Sequence, residues 1–293
     1  MTVTIAVPNY NGEKLLSVNL PNILAAGADE VLINDDGSQD NSIKIIQENF
    51  PEVKLLISKQ NKGFISSVNK LFNAASGEIV VLLNNDVLVD KNFLPPLIKH
   101  FTNKKIFAVN CHEKGNGWGK GQWKDGFYEF VETKEDSRVH KSAWASGGSA
   151  AFNKSIWQEL GGLDPLFAPF YWEDVDISFR ALKAGFDIFW EPKSLVYHQH
   201  GTTISKSHSN KFVTQVQQRN QLLFIWKNIT DKNLLSDHFR NLIKRLLSGL
   251  GIGYWIPFGW ALSKRSFSSS KKWQTKKNTV SIRSDLKVIN YAN

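Results

Sequence analysis

Cysteine is almost absent from this chain of 293 residues, which has a single one, Cys111. One thiol cannot form an internal disulfide and cannot build a cysteine-rich zinc site. The first residues, MTVTIAVPNYNG, also lack the basic segment followed by an apolar stretch that marks a secretory signal. We therefore expect the folded body of the chain to lie in the cytoplasm.

Acidic residues are missing from one long stretch, residues 240–277, which contains nine Lys or Arg and no Asp or Glu. The net charge of the whole chain is +9, so the remainder of the chain is close to neutral. A body without a basic face argues against a nucleic-acid partner. A basic, aromatic-rich tail instead predicts peripheral attachment to an anionic membrane, at the inner face of the cell membrane.

The tail contains one candidate for a membrane span, residues 246–263, which are eighteen uncharged residues. That length is at the lower limit for a spanning helix, and four Gly and Pro257 interrupt it. Basic residues on both sides and aromatic residues inside favour a segment that lies in the membrane interface. A spanning segment and a helical subdomain packed on the body are the two alternatives.

The first 110 residues alternate β-rich runs with amphipathic runs of helical length. The strands predicted are TVTIAVP, EVLIND, VKLLIS and EIVVLLN, and the helices predicted between them are residues 13–26, 40–49 and 63–75. Near-continuous apolar strands such as IVVLL are typical of a parallel sheet covered by helices on both faces. Ligands of such sheets bind beyond the carboxyl ends of the strands, here the loops that start at Pro8, Asp35, Ser58 and Asn84.

The regular pattern stops at residue 111 and returns near residue 144. Residues 111–140, rich in Gly and Trp, read as one long functional loop. Beyond them we predict a strand at 144–152, a helix from 155, a helix at 174–184, strands at 186–190 and 194–198, and a helix at 210–227. This gives an α/β domain over residues 1–230, with halves at 1–110 and 111–230, and a helical tail over residues 231–293.

Polar residues follow each predicted strand. Asp35 and Asp36 open the segment DDGSQDNS, and Asn84, Asn85 and Asp86 form the segment NND. Each segment alone has an ordinary alternative as a turn or a helix N-cap. Their joint position at one edge of the sheet favours a binding site.

Several segments occur in the order found in one known family. They are IAVPNYNG, INDDGSQDNS, NKGFISSVNKLFNAASGEIVVLLNNDV, GGSAAFNKSIWQELGGLDPLFAPFYWEDVDISFRALKAGF, VYHQHG and QRNQLLFIWKN, and they cover residues 2–228. The sequence resembles a family 2 glycosyltransferase of the GT-A fold, in particular the rhamnosyltransferase-type branch. The resemblance implies a mostly parallel sheet flanked by helices and a nucleoside diphosphate sugar as donor.

The resemblance also implies residues for each part of the donor site. Those expected around the donor are Pro8, Asn9, Tyr10, Asp36 or Asp35, Lys62, Gly63, Asn84 and Asn85. Gly147 and Gly148 join them because glycine would let the backbone approach the sugar. The segment NND stands where the family has Asp-x-Asp, so Asp86 remains as the metal-binding carboxylate, for Mg²⁺ or Mn²⁺. His198 resembles the family's histidine at the metal or the diphosphate, and His200 is a second candidate. A cation there would stabilise the charge that develops on the departing diphosphate.

Three carboxylates crowd into the segment FYWEDVD, namely Glu173, Asp174 and Asp176. A hydroxyl nucleophile must lose its proton as it attacks, so a positioned carboxylate is the expected base. By resemblance that base is Asp174, with Glu173 beside it, whereas Asp176 has the spacing to pair with Arg180. The alternative is a helix N-terminus solvated by acidic residues. The aromatic residues Tyr171, Trp172 and Trp144 are expected to contact the acceptor.

We expect a glycosyltransferase that transfers a sugar to a hydroxyl of a lipid-linked surface glycan, and the family resemblance implies that the transfer is inverting. A sugar-1-phosphate nucleotidyltransferase is an alternative, but the loop VPNYNGEKLL is not the Gly-rich basic loop such an enzyme needs. A degenerate protein that only binds nucleotide or glycan is the other alternative. The missing first Asp of the segment NND favours it, and the presence of Asp174 and His198 argues against it.

Overall fold

A computed structural model describes residues 1–198, 208–248, 251–268 and 283–293. Its main feature is a nine-stranded sheet in the order β3-β2-β1-β4-β10-β6-β11-β5, with β9 paired to β11. The strands are β1 Val3–Asn9, β2 Glu30–Asp35, β3 Lys54–Ile57, β4 Ile79–Leu83, β5 Val87–Val89, β6 Ile106–Glu113, β7 Gly119–Lys124, β8 Phe127–Glu132, β9 His140–Lys141, β10 Ser149–Asn153 and β11 Asp187–His198.

The first four strands and the helices between them confirm the repeated strand–helix pattern. Strands β3, β2, β1 and β4 are mutually parallel, while β10 runs antiparallel between β4 and β6. The helices are α1 Glu13–Ala25, α2 Ser42–Asn49, α3 Phe64–Ala74, α4 Leu94–Ile98, α5 Lys154–Glu159, α6 Glu173–Lys183, α7 Asn210–Asn228, α8 Lys232–Leu247, α9 Gly251–Ser268 and α10 Asp285–Ile289. The fold is therefore a mostly parallel α/β sheet with helices on both faces.

The sheet has a buried apolar layer on each face, as the strand composition predicts. In β4, Val81 joins the layer under α1, whereas Val80 and Leu82 join the layer under α3. Alternate residues of a strand point to opposite faces, so a strand covered on both sides must be apolar at every position. All five residues of β4 are buried accordingly.

The segment predicted as one long loop instead contains a β-hairpin. Strands β7 and β8 pair antiparallel and form a two-stranded sheet of their own. The turn between them is Asp125–Gly126, and both residues have positive φ, as hairpin turns require. The predicted strand at 144–152 is also shorter, since regular pairing begins at Ser149. The two strands predicted at 186–190 and 194–198 are a single strand, β11, with a register shift between Trp190 and Leu195.

The C-terminal helices pack against the α/β body. Tyr254 and Ala261 of α9 are buried in the same apolar layer as α3 and α6, together with Val288 and Ile289 of α10. The alternative of a helical subdomain on the body therefore describes this part of the chain. Within the described residues, no helix has the length and apolar character needed to cross a bilayer.

Candidate functional site

Loops from three strand ends are joined at the carboxyl edge of the sheet. The side chain of Asn9 donates to Asp35 at 2.9 Å, and that of Asn85 donates to Asn9 at 2.8 Å. A Cβ at Gly12 would lie 2.1 Å from Asn9 Oδ1 and 2.3 Å from Asn85 Nδ2, so glycine is needed where these two side chains meet. The expected joint position of these loops is confirmed, and Asp35 serves to organise it.

Asp36 holds the loop after β3. Its Oδ2 accepts hydrogen bonds from the backbone N–H groups of Lys62 and Gly63, each at 2.8 Å. Beside this contact is a cavity of about 480 Å³, within the usual size range of small-ligand sites. Its lining contains three lysines and several amide and hydroxyl groups: Asn34, Ser58, Lys59, Gln60, Lys62, Ser66, Ser67 and Lys70. A basic, polar cavity of this kind suits an anionic ligand.

Pro8 and Tyr10 lie at the rim of this edge, at the end of β1, and both are partly exposed. Asp36 donates its own backbone N–H to the carbonyl of Asn9 at 2.8 Å, which ties the ends of β1 and β2 together. Hydrogen bonds therefore join the first three loops, with Asn9, Asp35 and Asp36 buried between them. His200 lies outside the described residues.

Asp86 and His198 meet at the next part of the edge. Asp86 Oδ1 lies 3.0 Å from His198 Nε2, and Glu113 Oε2 lies 3.3 Å from His198 Nδ1. Burial lowers the pKa of His198, but the hydrogen bonds to Asp86 and Glu113 outweigh it and raise the pKa to about 9. Glu113, at the end of β6, was not anticipated from the sequence, because no motif connects it to His198.

The donor atoms at this position fit a hard divalent cation only in part. A carboxylate oxygen and the nitrogen of a neutral imidazole are suitable ligands for Mn²⁺ and related ions, so His198 would have to lose its proton to bind the cation. Among the described residues, no group of three or more His, Cys, Asp or Glu side chains is arranged to hold a metal ion. Asp86 and His198 would hold a cation only if phosphates and water completed its coordination, as is common for Mg²⁺.

Gly147 and Gly148 connect the loop that carries Asn84 and Asp86 to the acidic segment. Gly148 accepts from the backbone N–H of Asn84 at 2.9 Å, and a Cβ at Gly148 would lie 2.6 Å from Asn84 Nδ2. Gly147 donates its N–H to Asp174 Oδ2 at 3.3 Å. Two adjacent backbone units thus contact the Asn84 loop on one side and the Asp174 carboxylate on the other.

Asp174 is partly exposed, whereas its neighbour Glu173 is buried. Burial raises the pKa of Asp174. Burial raises the pKa of Glu173 well above its usual range, and the nearby charge of Asp174 raises it further. Glu173 Oε2 is buried and has no hydrogen-bond partner within the described parts of the chain. The two carboxyl groups therefore differ in environment, and perturbed pairs of this type are common at functional sites.

Asp176 belongs to the core, and its predicted pairing with Arg180 is confirmed. Arg180 Nε lies 2.8 Å from Asp176, and Lys227 Nζ also lies 2.8 Å from it. Burial raises the pKa of Asp176, but the charges of Arg180 and Lys227 outweigh that and lower it overall. Asp176 thus anchors α6 to the end of α7.

The turn before α6 is held by Asn220, a residue that sequence reasoning did not single out. Asn220 Nδ2 donates to the carbonyls of Phe167, Phe170 and Tyr171, at 2.8, 3.0 and 2.8 Å. Tyr171 and Trp172 both have φ in the left-handed region, at 68° and 77°. Bulky residues seldom adopt this conformation unless neighbouring contacts impose it. The sequence feature that could have singled out Asn220 is its position in QRNQLLFIWKN, one of the segments that carry the family resemblance.

The three aromatic residues expected at the acceptor differ in exposure. Trp172 is buried and packs on Phe224, with ring centroids 5.2 Å apart. Trp144 and Tyr171 are partly exposed. Trp172 therefore supports the turn from behind, while Trp144 and Tyr171 have surface available to a ligand.

Solved structures define the class of fold. The chain superimposes on GalNAc-T7 with UDP, GalNAc and Mn²⁺ with a TM-score of 0.66 and 16% identity, covering 94% of this chain and 58% of that one. It superimposes on the TarS 1–349 fragment from S. aureus with a TM-score of 0.56 and 17% identity, covering 90% and 80%. At these identities the match concerns the fold, which is that of GT-A glycosyltransferases.

The sequence comparison identifies the family. The profile of Glycosyl transferase family 2 matches residues 4–161, and the chain belongs to this family. N-acetylgalactosaminyltransferase 7 of Drosophila melanogaster is 25% identical over 57% of this chain and 33% of its own length. An uncharacterised glycosyltransferase of Nostoc is 32% identical over 38% of this chain and 36% of its own length. The chain thus spans about a third of the length of these curated relatives.

Proposed function

We propose that this protein is an inverting glycosyltransferase that moves a sugar from a nucleoside diphosphate sugar to a hydroxyl group of a lipid-linked surface glycan. The observation that supports this most is the pair of backbone contacts made by Gly147 to Asp174 and by Gly148 to Asn84. It places the Asp174 carboxylate next to the Asn84 loop and the Asp86–His198 pair. A base and a candidate diphosphate site thus share one short piece of backbone.

The nucleotide would occupy the carboxyl edge of strands β1 to β3. The cavity beside Asn34 and Lys62 offers lysines for phosphate and amide and hydroxyl groups for a base or ribose. Asp35 and Asp36 act here by holding the loops, since their carboxylates bind Asn9 and the backbone of Lys62 and Gly63. Cavities of this kind with converging polar groups are the usual places for nucleotide ligands in α/β folds.

Asp174 would act as the general base. In this proposal it takes the proton of the acceptor hydroxyl as the oxygen attacks the anomeric carbon, and the nucleoside diphosphate leaves from the opposite side. One displacement of this kind inverts the configuration at that carbon. A raised pKa brings a carboxylate closer to the working pH and so makes it a better proton acceptor.

The metal-binding role belongs to Asp86 and His198 in this proposal. A bound Mg²⁺ or Mn²⁺ would neutralise charge on the leaving diphosphate. Glu113 would orient His198 through its Nδ1, as second partners of metal-bound histidines commonly do. Solved structures of similar fold include a mannosyltransferase from Pyrobaculum calidifontis in complex with GDP-Man and Mn²⁺, at a TM-score of 0.56.

The membrane role rests on an exposed face of α8. Phe239, Ile243 and Leu247 are exposed at intervals of four residues, so they lie along one side of the helix. Arg240 and Lys244 are exposed beside them. An apolar row flanked by basic side chains suits the interface of an anionic bilayer, where a lipid-linked acceptor would be found. We accordingly place the protein at the cytoplasmic face of the cell membrane.

Calorimetry tests the donor part of the proposal. UDP, dTDP and GDP are titrated into the protein with Mn²⁺, with Mg²⁺ and with EDTA. At least one nucleotide should bind, and a cation should tighten its binding. The variant Asp86→Ala should lose the cation effect, while the matched variant Asp90→Ala should keep it because Asp90 is exposed. Equal affinity in EDTA and with Mn²⁺ would contradict the metal role, and no binding of any nucleotide would contradict the donor site.

A further inference from the structure

The β7–β8 hairpin places an exposed aromatic ring against two tryptophans, one of which lies in the segment that carries the candidate base. Phe130, on β8, keeps 45% of its surface exposed. Its ring centroid lies 5.1 Å from that of Trp144 and 5.5 Å from that of Trp172. Trp172 comes two residues before Asp174 in the chain. An exposed Phe that packs on a partly exposed Trp, beside the segment of the candidate base, calls for an explanation other than core packing.

Trp144 is held firmly in this arrangement. Its ring covers Gly119, where a Cβ would lie 2.2 Å from the ring, so no larger residue fits beneath it. Its backbone carbonyl accepts from Asn110 Nδ2 at 2.8 Å. Since the ring and its backbone are fixed from two sides, Trp144 presents a rigid surface.

Ser178 ties this aromatic pair to the base. Its hydroxyl accepts from the N–H of Ala145 at 2.9 Å and donates to the carbonyl of Asp174 at 2.6 Å. The residue after Trp144 and the backbone of the base are therefore bridged by one side chain. The position of the Trp144 ring relative to Asp174 is set by short, buried contacts.

We infer that Phe130 and Trp144 form an acceptor subsite that takes a sugar ring of the glycan and stacks it against their faces. This rests on the proposed function and extends it to a named part of the acceptor. The face of an aromatic ring is electron-rich and attracts the weakly positive C–H groups of a pyranose. A rigid aromatic ring also loses little conformational entropy on binding. The sugar held there would present its hydroxyl to Asp174.

The neighbouring residue Val131 provides a matched control. It is 44% exposed, much like Phe130, but successive residues of a strand point to opposite faces. Phe130→Ala removes the proposed surface, Phe130→Trp keeps an aromatic ring, and Val131→Ala changes the other side of the hairpin. Both positions are exposed, so each of the three variants should fold with a melting temperature close to that of the wild type.

The test uses soluble methyl and octyl glycosides of glucose, galactose, N-acetylglucosamine and rhamnose as probes. Saturation-transfer NMR should show ring protons of at least one glycoside in contact with the wild-type protein. Phe130→Ala should lower the affinity for that glycoside by about tenfold, corresponding to about 1.4 kcal/mol. Phe130→Trp and Val131→Ala should leave this affinity unchanged. The affinities of the same variants for UDP, dTDP and GDP should equal those of the wild type.

Any of three results would overturn the inference. The first is that no glycoside contacts the wild-type protein, and the second is that Phe130→Ala binds the glycoside as the wild type does. The third is that Val131→Ala weakens glycoside binding as much as Phe130→Ala does. Failure of the proposed function would appear differently, as a wild-type protein that binds none of the nucleotides. The two failures are therefore distinguishable within one set of samples.

Discussion

At the scale of single residues, the two adjacent carboxyl groups of the acidic segment, Glu173 and Asp174, lie in different environments. Glu173 is buried and its Oε2 lacks a partner among the described residues, while Asp174 accepts from Gly147 and remains partly exposed. A buried carboxylate without hydrogen bonds is unfavourable, so the protein is stabilised when Glu173 carries a proton. Asp174 keeps a partly exposed carboxylate, which the proposed mechanism uses as the base.

Glu173→Gln should raise the stability of the protein, and the gain should increase with pH. The folded-state pKa of Glu173 is raised above the ordinary value of 4.5, so the folded protein binds this proton more tightly than the unfolded chain does. The wild type therefore loses stability as pH rises above that ordinary value, whereas the glutamine variant does not. The melting temperatures of both proteins, measured from about pH 4 to about pH 8, check this.

The control for this prediction is Glu159→Gln, because Glu159 is exposed. That variant should show no pH-dependent gain. A Glu173→Gln protein whose melting temperature differs from the wild type by the same amount at all pH values would mean that Glu173 is charged in the folded protein at neutral pH.

At the scale of elements, helix α7 shapes the turn that leads into the acidic segment. Asn220 binds three carbonyls of that turn, and Arg219 binds a fourth, that of Ala168, at 2.6 Å. Lys264 of α9 reaches the same Ala168 carbonyl at 3.2 Å. Residues distant in sequence thus fix the backbone turn that precedes Asp174, the proposed base.

Asn220→Ala should destabilise the protein by about 2–5 kcal/mol, because the carbonyls of the turn lose the side chain that donates to them, and leaving a buried group unpaired costs about 1–3 kcal/mol. Urea denaturation measures this change. Gln217→Ala, at an exposed position of the same helix, should stay within about 0.5 kcal/mol of the wild type. Similar unfolding midpoints for Asn220→Ala and Gln217→Ala would show that the turn holds its shape without α7.

Periodicity predicted most of these elements because local pattern and tertiary environment agree in them. The strand EVLIND, buried on both faces, matches β2 at both ends, and the helix predicted at 174–184 differs from α6 by one residue at each end. The β7–β8 hairpin was missed because Gly119 and Gly121 weaken the strand pattern of β7, since glycine is depleted in strands. The contacts of Glu113 and Asn220 could not be predicted, since they join residues 85 and about 50 positions apart.

At the scale of the whole molecule, the C-terminal part is both a piece of the core and a candidate contact surface. Asp285 lies 2.7 Å from Lys183 of α6 and accepts from the backbone of Asp231 at 2.7 Å, so α10 joins α6 to the start of α8. Deleting the tail would remove these contacts together with its buried residues. Point substitutions on the exposed face are the suitable test of membrane binding.

The double variant Ile243→Gln with Leu247→Gln should bind anionic vesicles less tightly than the wild type. Both side chains are exposed, so the change removes apolar surface from the bilayer contact without disturbing the core. Burying each side chain contributes about 1.5–3 kcal/mol, and losing two should lower vesicle affinity by at least tenfold. Co-sedimentation with vesicles of phosphatidylglycerol and phosphatidylcholine measures the affinity.

The matched control is Leu286→Gln on α10, where the leucine is also exposed but lies outside the α8 face. It should bind vesicles as the wild type does. High salt should weaken vesicle binding by the wild-type protein, because salt screens the attraction between the basic side chains and the anionic lipids. If the double variant, the control and the wild type bind vesicles equally, the exposed face of α8 is not the membrane contact.

The central claim, that Asp174 is the base of a glycosyl transfer at this sheet edge, is tested most directly by Asp174→Asn. Transfer of a radiolabelled sugar from nucleotide donors to membrane lipids or glycosides is measured for the variant and the wild type, with donor affinity from calorimetry on the same samples. The account predicts that transfer falls by about 10³–10⁴, while donor affinity changes little. Equal turnover by Asp174→Asn and the wild type would contradict it.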